Sequence, residues 1–427
     1  MGLGHRLESL ADLRRRASSH SATKKPDSRS SWPDTCRLDR VQALAAYSSL
    51  LITLSLAVAR PRVGEKVRIG PAPGAAIGVL VMMLAGVVKT ADIAHAAIIL
   101  WRPLVAIMSI MVTTSVAERV GLLEKLAKRL FSHTHGSASK IFFRVFVLSA
   151  VTAAALNNDS AVLLLTPAIV ALVRHRYPRR PELVVPFAFV VFMAAGVAPF
   201  VLSNPMNMIF AAYAGIDFNA YAIRMAPIAL AGWAVAALVL HLLFRKTLAA
   251  APETSGTEDF LPLDAPQRRM VVVLAIVLCA CPFVAYAGGN VWMVAAAGAI
   301  FALAFVAKPS GQPPLVTIRS GISLEIVAFL ILVSVLGVGM KNVGLVAWLT
   351  HLYEGGNVAT IGAASAVGSA LLNNHPMSIL NMLALEGSRG HASALAALIG
   401  GDLGPRLFPM GSLAALLWYD KLRKENV

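Results

Sequence analysis

Long apolar segments recur along the chain from about residue 41 onward, and short basic or polar stretches separate them. The clearest are Val41–Ala59, Ala72–Val88, Met225–Phe244, Met270–Ala287 and Leu324–Met340. Roughly 20 apolar residues in a helix span the hydrocarbon core of a bilayer, so these segments predict transmembrane helices. A membrane barrel would instead show segments of about ten residues with alternating polarity. The pattern therefore predicts an all-α polytopic membrane protein.

Two Asn pairs interrupt the apolar pattern, one within LNNDSAVLLLTP and the other within LNNHPMSILNML. The first pair lies between short apolar arms at 141–156 and 161–173, and the second between arms at 359–372 and 377–385. Basic residues flank the first hairpin on both sides, which places both of its ends on one face of the membrane. We therefore predict two re-entrant hairpins with the Asn pairs at their tips, near the middle of the membrane.

Each hairpin is followed by a span that contains helix-breaking residues. The first break is predicted at SNPMN, Ser203–Asn207, and the second at GGDLGP, Gly400–Pro405. A broken helix is tolerated inside a bilayer only where it is buried or lines a cavity, because its backbone groups must be satisfied within the protein. The freed N–H and C=O groups can then bind a ligand.

The same order of elements recurs in residues 41–244 and 270–427, and a polar linker at 245–269 separates them. We predict two inverted-topology repeats, with the linker in the cytoplasm. Residues 1–40 hold nine Lys and Arg and no apolar run, so they predict a basic, disordered tail. The second repeat shows no counterpart of the helix at 225–244, and we expect its final helix to be missing.

The distribution of Lys and Arg among the loops predicts how the protein is oriented in the membrane. The chain is 57% apolar and 14% charged, with a net charge of +16. Loops predicted on one face hold 23 Lys and Arg, whereas those on the other hold five. The positive-inside rule assigns the first face to the cytoplasm and explains the basic charge without nucleic acid. This orientation inverts the second half relative to the first, as in secondary transporters. It also places the basic tail outside, so either the tail does not belong to the mature protein, which we favour, or the first span is placed wrongly.

Titratable groups at the predicted breaks are candidates for proton coupling. A charged side chain at such depth costs roughly 2.5–3.5 kcal/mol on insertion scales. Asp159 and Asp402 are the two carboxylates there, and each could carry a proton or instead cap a half-helix. Arg406 lies one turn from Asp402 and could be its structural partner. His375 could relay protons or serve as a hydrogen-bonded structural residue.

Amides and small residues at the breaks are candidates for substrate binding, because an Asn side chain both donates and accepts hydrogen bonds. The predicted residues are Asn157, Asn158, Ser203, Asn204, Asn207, Asn373, Asn374 and Gly401. The three cysteines, Cys36, Cys279 and Cys281, do not have the spacing of metal ligands. We predict no catalytic residue, no metal and no cofactor other than a proton gradient. An intramembrane aspartyl protease is disfavoured because Asp402 and Asp420 lie at one end of the chain.

These motifs resemble the ArsB-type arsenite permeases of the ion transporter superfamily. The stretches that carry the resemblance are NNDSAVLLLTPAIVAL, LSNPMNMI, LLNNHPMSIL and GGDLGPRLFPMGSLAALLW, and the likeness covers about residues 42–420. It implies a multi-pass protein of the bacterial inner membrane that exports arsenite and antimonite in exchange for protons. Some such permeases couple to a cytoplasmic ATPase subunit. The family motifs map onto Asn158 and Asp159, onto Ser203, Asn204 and Asn207, onto Asn373 and Asn374, and onto Asp402–Pro405.

The chain departs from the family pattern in two ways, and several alternative functions stay open. The family usually has an apolar residue where this chain has His375, and it has a further span after the Leu-Leu-Trp region. A Na⁺/H⁺ antiporter of the same superfamily is the main alternative, because Asn and Asp oxygens can also hold Na⁺. A carboxylate carrier is less favoured, since no Arg lies at a predicted hairpin tip to bind the anion. A passive channel would conduct without saturating and would not be driven by a proton gradient.

Overall fold

The computed structural model describes residues 40–424, except 60, 64–66, 69, 133–135, 198, 252–261, 388–389 and 409–410. The predicted tail lies outside these residues apart from Arg40, which begins the first helix. The described elements are almost all helical, and seven helices are long and apolar enough to cross a membrane. The prediction of an all-α polytopic membrane protein is confirmed.

The first half contains nine helices and a two-stranded hairpin among its described residues. The helices are α1 (Arg40–Ala59), α2 (Pro71–Leu84), α3 (Thr90–Arg119), α4 (Leu122–Ser132), α5 (Ala138–Ala155), α6 (Asn158–Arg176), α7 (Val184–Ala194), α8 (Pro205–Tyr213) and α9 (Phe218–Ala249). Strands β1 (Arg62–Val63) and β2 (Val67–Arg68) pair antiparallel between α1 and α2, with Val63 opposite Val67.

The second half also contains nine helices among its described residues. They are α10 (Ala265–Tyr286), α11 (Val291–Phe301), α12 (Pro314–Gly321), α13 (Leu324–Asn342), α14 (Leu345–Glu354), α15 (Val358–Leu372), α16 (Asn374–Ala384), α17 (His391–Leu403) and α18 (Leu413–Lys424). A π-helical segment, Ala302–Ala307, continues α11. A capping box starts α10, in which the backbone N–H of Asp264 donates to Gln267 Oε1 at 3.0 Å.

The hairpin tips are shorter than predicted. Asn158 and Asn374 are the first residues of α6 and α16, so the turns themselves are formed by residues 156–157 and by Asn373 alone. Asn373 has a φ of 77° and is the only non-glycine residue with positive φ in the described part of the chain. Asn tolerates this left-handed region better than most residues. The second Asn of each pair therefore opens a helix.

The first broken span opens earlier than predicted. The segment between α7 and α8 covers residues 195–204, whereas the sequence predicted a break at 203–207. Pro199 lies in this segment and donates no backbone hydrogen bond, which disfavours helix there. A short 3₁₀ turn, Val201–Ser203, precedes α8. Asn207 consequently lies in the first turn of α8 and not in unwound chain.

The second broken span opens later than predicted. Helix α17 continues through Gly401 and Asp402, and a 3₁₀ turn over Gly404–Arg406 follows it, whereas the sequence predicted a break over residues 400–405. The glycines remain helical because they pack closely against α15. The α-helix ends where Pro405 removes a backbone donor. Asp402 therefore lies in the last turn of a helix.

Three further differences concern the connections. Helix α9 extends to Ala249 and α10 begins at Ala265, so both enter the predicted linker at 245–269. Helix α2 ends at Leu84, four residues before the predicted end of that span. Helices α12 and α14 were not predicted, because each is too short to give a membrane-spanning apolar run.

The element order of the second half follows that of the first. In each half a long helix, α3 or α13, leads through a glycine of positive φ, Gly121 or Gly344, towards a short helix, α4 or α14. A helix pair joined at an Asn-containing tip comes next, and an interrupted span comes after it. The inversion of the halves and the domain division at residues 245–269 stay predictions.

The core of the first half lies between α5, α6 and α7. Phe142, Leu165, Ile169 and Phe187 are completely buried there. The rings of Phe142 and Phe187 meet edge to face with centroids 5.9 Å apart, an arrangement that aromatic pairs favour. This core holds both arms of the first hairpin against α7.

The second hairpin packs on α17 through glycine. A Cβ atom added at Gly400 would lie 2.1 Å from the carbonyl oxygen of Gly362, and one added at Gly404 would lie 2.2 Å from that of Ala366. Small residues allow helix backbones to approach closely within membranes. Helices α15 and α17 therefore touch backbone to backbone, and no larger side chain fits between them.

We expect Gly400→Ala to destabilise the protein by about 1–3 kcal/mol, because its methyl group would overlap the Gly362 carbonyl. Thermal unfolding of the purified protein in detergent measures the loss. Gly232→Ala is the matched control, since a Cβ at Gly232 meets nothing within 4 Å, and it should leave stability unchanged or raise it by up to about 1 kcal/mol. Equal melting temperatures for both variants would contradict the close helix contact.

Candidate substrate-binding site

The carboxylate of Asp402 connects the two halves of the chain. Its oxygens accept hydrogen bonds from Asn204 Nδ2 at 2.6 Å and from Asn207 Nδ2 at 3.0 Å, and all three side chains are buried. Asp402 lies at the C-terminal end of α17, so the alternative that it caps the start of a half-helix is wrong. A negative charge near a helix C-terminus is unfavourable, and the two amide donors compensate for it.

Helix α8 presents its positive end to this carboxylate. Asn204 caps α8, because its Oδ1 accepts the backbone N–H of Met206 at 2.9 Å while its Nδ2 binds Asp402. Asn207 lies in the first turn and also donates to the hydroxyl of Tyr221 at 2.9 Å. The partial positive charge of a helix N-terminus favours a neighbouring anion. Capping and carboxylate binding thus use opposite ends of one amide.

Arg406 does not pair directly with Asp402. Its guanidinium donates to the carbonyl oxygens of Phe192 at 2.7 Å and Ala195 at 2.6 Å, and it lies 4.3 Å from the centroid of the Phe192 ring. These carbonyls belong to the end of α7, where helical acceptors lack partners. Arg406 still interacts electrostatically with both Asp159 and Asp402. Its structural partner is the broken end of α7, which sequence spacing did not indicate.

The carboxylate of Asp159 does not cap helix α6, because Asn157 does so. Asn157 caps α6 by accepting the backbone N–H of Ser160 at 2.7 Å, so the capping role considered for Asp159 belongs to Asn157. The half-buried carboxylate of Asp159 makes no hydrogen bond or ion pair with any described residue. Ser203 donates to the carbonyl oxygen of Ala154 in α5, and Asn204 beside it binds Asp402, so the first hairpin adjoins the segment that contacts the end of α17.

The second tip is held by Asn373. Its Oδ1 accepts the backbone N–H of His375 at 3.3 Å and lies 3.2 Å from Nδ1 of the same histidine. The imidazole is buried and meets the ring of Phe329 edge to face at 5.5 Å. These contacts fit a structural histidine, and the proton-relay role of His375 stays a prediction.

A cluster of hydroxyl groups faces Gly401 and was missed by the sequence reasoning. A Cβ added at Gly401 would lie 3.5 Å from Ser378 Oγ, 3.6 Å from Ser369 Oγ and 3.7 Å from Ser365 Oγ. Ser365 and Ser369 are four residues apart on the apolar helix α15, so they share one of its faces. This spacing of polar residues in an apolar run could have indicated the cluster.

A hydrogen-bonded chain extends the cluster towards α14. Asn381 Nδ2 donates to Ser365 Oγ at 2.7 Å, and the hydroxyl of Tyr353 donates to Asn381 Oδ1. Both Asn381 and Tyr353 are buried. The helix α14 that supplies Tyr353 was itself not predicted, so these hydrogen bonds could not be inferred from the sequence.

Four buried oxygen atoms near these breaks have no hydrogen-bond partner in the described part of the chain. They are the amide oxygens of Asn158, Asn207 and Asn374 and the hydroxyl oxygen of Ser369. A buried acceptor left unpaired costs about 1–3 kcal/mol, and such groups call for a ligand or water. Three of the four were predicted as substrate-binding residues from the sequence.

Ser203, another predicted binding residue, makes a structural contact. Ser203 donates to the carbonyl oxygen of Ala154 at 3.2 Å, which fastens the 3₁₀ turn to α5. Helix α16 packs on both α8 and α17, so the second tip adjoins the break that carries Asn204 and Asn207. The structure therefore brings the two tips and the two broken spans into one region, although the role of each residue stays a prediction.

A cavity of about 460 Å³ adjoins the start of α8. Met208, Leu202 and Met382 line its part nearest Asn207, while Arg102, Asp217 and Asn290 line it elsewhere. Arg102 belongs to the face predicted to lie outside the cytoplasm. Met208, the residue after Asn207, lines the cavity, whereas Asn207 and Asp402 do not.

A family model described as arsenical pump membrane protein matches residues 44–427, which is most of the chain. The chain belongs to the arsenical pump membrane protein family. The resemblance stated from the motifs is therefore confirmed.

Relatives of the same description agree with this assignment. Proteins named arsenical pump membrane protein from Escherichia coli and Yersinia enterocolitica are 28% and 29% identical over 406 and 408 residues. Each alignment covers 90% of this chain and 92% of the relative. One from Shigella flexneri is 28% identical over 406 residues, with the same coverage.

Family membership settles the class of protein. Arsenical pump membrane proteins are transporters, so the prediction of a membrane transporter rather than an enzyme is confirmed. Together with the seven apolar helices, it confirms a multi-pass bacterial membrane protein.

We expect cysteines at positions 204 and 402 to be joined by a short bis-methanethiosulfonate reagent, since the Asn204 and Asp402 side chains touch. Such a reagent does not require the Cα separation of about 4.4–6.8 Å that a direct disulfide needs. The experiment uses a variant whose native cysteines are replaced and whose chain carries a protease site within residues 252–261. After cleavage, the two halves should stay joined on a denaturing gel until a reductant is added. The pair 232 and 402 is the control and should separate, because nothing lies within 4 Å of a Cβ at Gly232.

Proposed function

We propose that this arsenical pump family member exports arsenite, and antimonite, across the inner membrane in exchange for protons. The relatives' names support an arsenical substrate. The observation that carries the proposal at this site is the set of unpaired amide oxygens of Asn158, Asn207 and Asn374. They come from the first hairpin tip, the first broken span and the second hairpin tip.

The chemistry of arsenite suits such acceptors. At neutral pH arsenite is an uncharged trihydroxide, and its three O–H groups need hydrogen-bond acceptors when they leave water. Neutral amide oxygens supply acceptors without fixing a charge in the site. The hydroxyl groups facing Gly401 could add donors or acceptors on the opposite side of the same ligand. Antimonite is also a neutral trihydroxide and fits the same description.

Weak ligands favour release. Three clustered thiolates would bind trivalent arsenic tightly and oppose its release, whereas hydrogen bonds exchange rapidly. Of the two cysteines that the structure describes, Cys281 is buried and Cys279 exposed on α10, and neither belongs to the region of the tips. Transport in this proposal therefore proceeds through hydrogen-bonded arsenite and not through a sulfur-bound intermediate.

Proton coupling is assigned to Asp159 and Asp402, with His375 as a further candidate. The two carboxylates repel each other and both interact with Arg406, so a proton on one changes the field at the other. We propose that protons enter from the outer face and are released to the cytoplasm as arsenite is captured there. The cavity beside Met208 is the proposed release route for arsenite. A cytoplasmic ATPase subunit remains a proposed partner suggested by family resemblance.

We expect Asp159→Asn to abolish arsenite uptake driven by a proton gradient in everted membrane vesicles. The substitution removes a titratable group while keeping its size, and no described hydrogen bond depends on it, so the fold should survive. Radiolabelled arsenite uptake, measured after imposing a pH difference, gives the result. Uptake at the wild-type rate would contradict a coupling role for Asp159.

Asp264→Asn is the matched control for that experiment. Asp264 lies at the exposed start of α10, and Asn caps helices about as well as Asp. The control should transport at the wild-type rate. If arsenite fails to dissipate a proton gradient in wild-type vesicles but Na⁺ does so, the protein is the alternative Na⁺/H⁺ antiporter and the proposed substrate is wrong.

A further inference from the structure

An apolar groove opens on the surface between α10 and the π-helical end of α11. It has a volume of about 780 Å³, and its walls are formed mainly by Val272, Ile276, Phe301 and Phe305. These side chains are 48–57% exposed. The groove is lined by residues between 265 and 309, and none of the predicted site residues is among them.

Two adjacent arginines, Arg268 and Arg269, stand at one end of this groove. Both are exposed. Neither forms an ion pair with another described residue, since the nearby Asp264 lies 3.9 Å from Lys125 instead. Arg269 Nη1 makes only a long contact of 3.5 Å to the carbonyl oxygen of Phe305. The groove therefore combines an apolar length with two unneutralised positive charges.

Arg268 and Arg269 lie near the N-terminus of α10, which affects the stability of their charges. They are the fourth and fifth residues of α10, near the end where the helix dipole disfavours cations and favours anions. Asp264 caps this helix end but makes no described ion pair with either arginine. An external anion beside the two arginines would therefore meet both of their charges.

We propose that this groove binds one anionic glycerophospholipid of the leaflet next to the basic loops. The phosphate would lie between Arg268 and Arg269, and an acyl chain would follow Val272 and Ile276 along α10. From Arg269 to Ile276 the helix rises roughly 10 Å, which matches the upper part of an acyl chain. Basic pockets at the cytoplasmic ends of membrane helices recognise lipid headgroups in this manner.

The π-helical segment gives the groove its shape. A π-helix has i→i+5 hydrogen bonds and is wider than an α-helix, and this one spans Ala302–Ala307, directly after Phe301. Gly298 allows α10 to approach α11, because a Cβ there would lie 2.4 Å from Val277 Cγ2. The two helices meet closely at Gly298, and Met270 and Val273 of α10 pack against Ala302 and Val306 of the π-helical segment. The groove lies on the outer side of this contact, where Phe301 and Phe305 are exposed.

Native mass spectrometry of the full-length protein in detergent tests the proposal. Phosphatidylglycerol and phosphatidylcholine with identical acyl chains are titrated separately. The double variant R268Q/R269Q should weaken phosphatidylglycerol binding by at least about tenfold and leave phosphatidylcholine binding unchanged. Val272→Trp, which fills the groove and keeps both charges, should weaken binding as well.

The control is R245Q/K246Q, which removes an exposed basic pair from the cytoplasmic end of α9 that does not line the groove. It should bind phosphatidylglycerol as the wild type does. Equal loss in both double variants would show general surface attraction and overturn the site. Disulfide dimers of Ile276→Cys, made in a background without Cys279 and Cys281, would show that a second copy of the chain occupies the groove, which also overturns it.

Discussion

A polar group inside a bilayer must find its partner within the protein, and this constraint organises the structure. The buried carboxylate of Asp402 illustrates it, because water cannot reach the residue and its own helix end repels it. Its partners, Asn204 and Asn207, come from the other half of the chain. The broken end of α7 obeys the same rule, since Arg406 satisfies its free carbonyl groups. Each interruption is thus completed by a residue distant in sequence.

The unsatisfied groups are informative for the same reason. Several buried side-chain atoms of the described residues lack a hydrogen-bond partner, and three of them, the amide oxygens of Asn158, Asn207 and Asn374, lie where the helices are interrupted. They lie at three separate interruptions of the helices, and the interruptions adjoin each other. In the proposed function, these oxygens would accept hydrogen bonds from a small neutral hydroxide beside the two carboxylates. Substrate binding and proton movement would then share one electrostatic environment.

Much of the architecture could be predicted from the sequence, because membrane helices are encoded by length and apolarity. The Asn pairs also marked both hairpin tips, since an amide within an apolar run needs a special reason. The ends of the broken helices were less predictable. Gly400 and Gly401 favour a break in isolation, yet close packing on α15 keeps them helical. The serines facing Gly401 and the short helix bearing Tyr353 depend on tertiary packing, which local sequence does not encode.

The glycine contact between α15 and α17 has a mechanical consequence. Backbones packed this closely at Gly362 and Gly400 resist sliding, so we expect the second hairpin and α17 to move together. Asp402 would then keep its distance from the second tip when the molecule rearranges. Its link to α8 consists of two hydrogen bonds, which break and reform far more easily. If the molecule opens alternately to each side of the membrane, α8 and α17 would separate at these two hydrogen bonds. The Asp402 carboxylate would then become exposed.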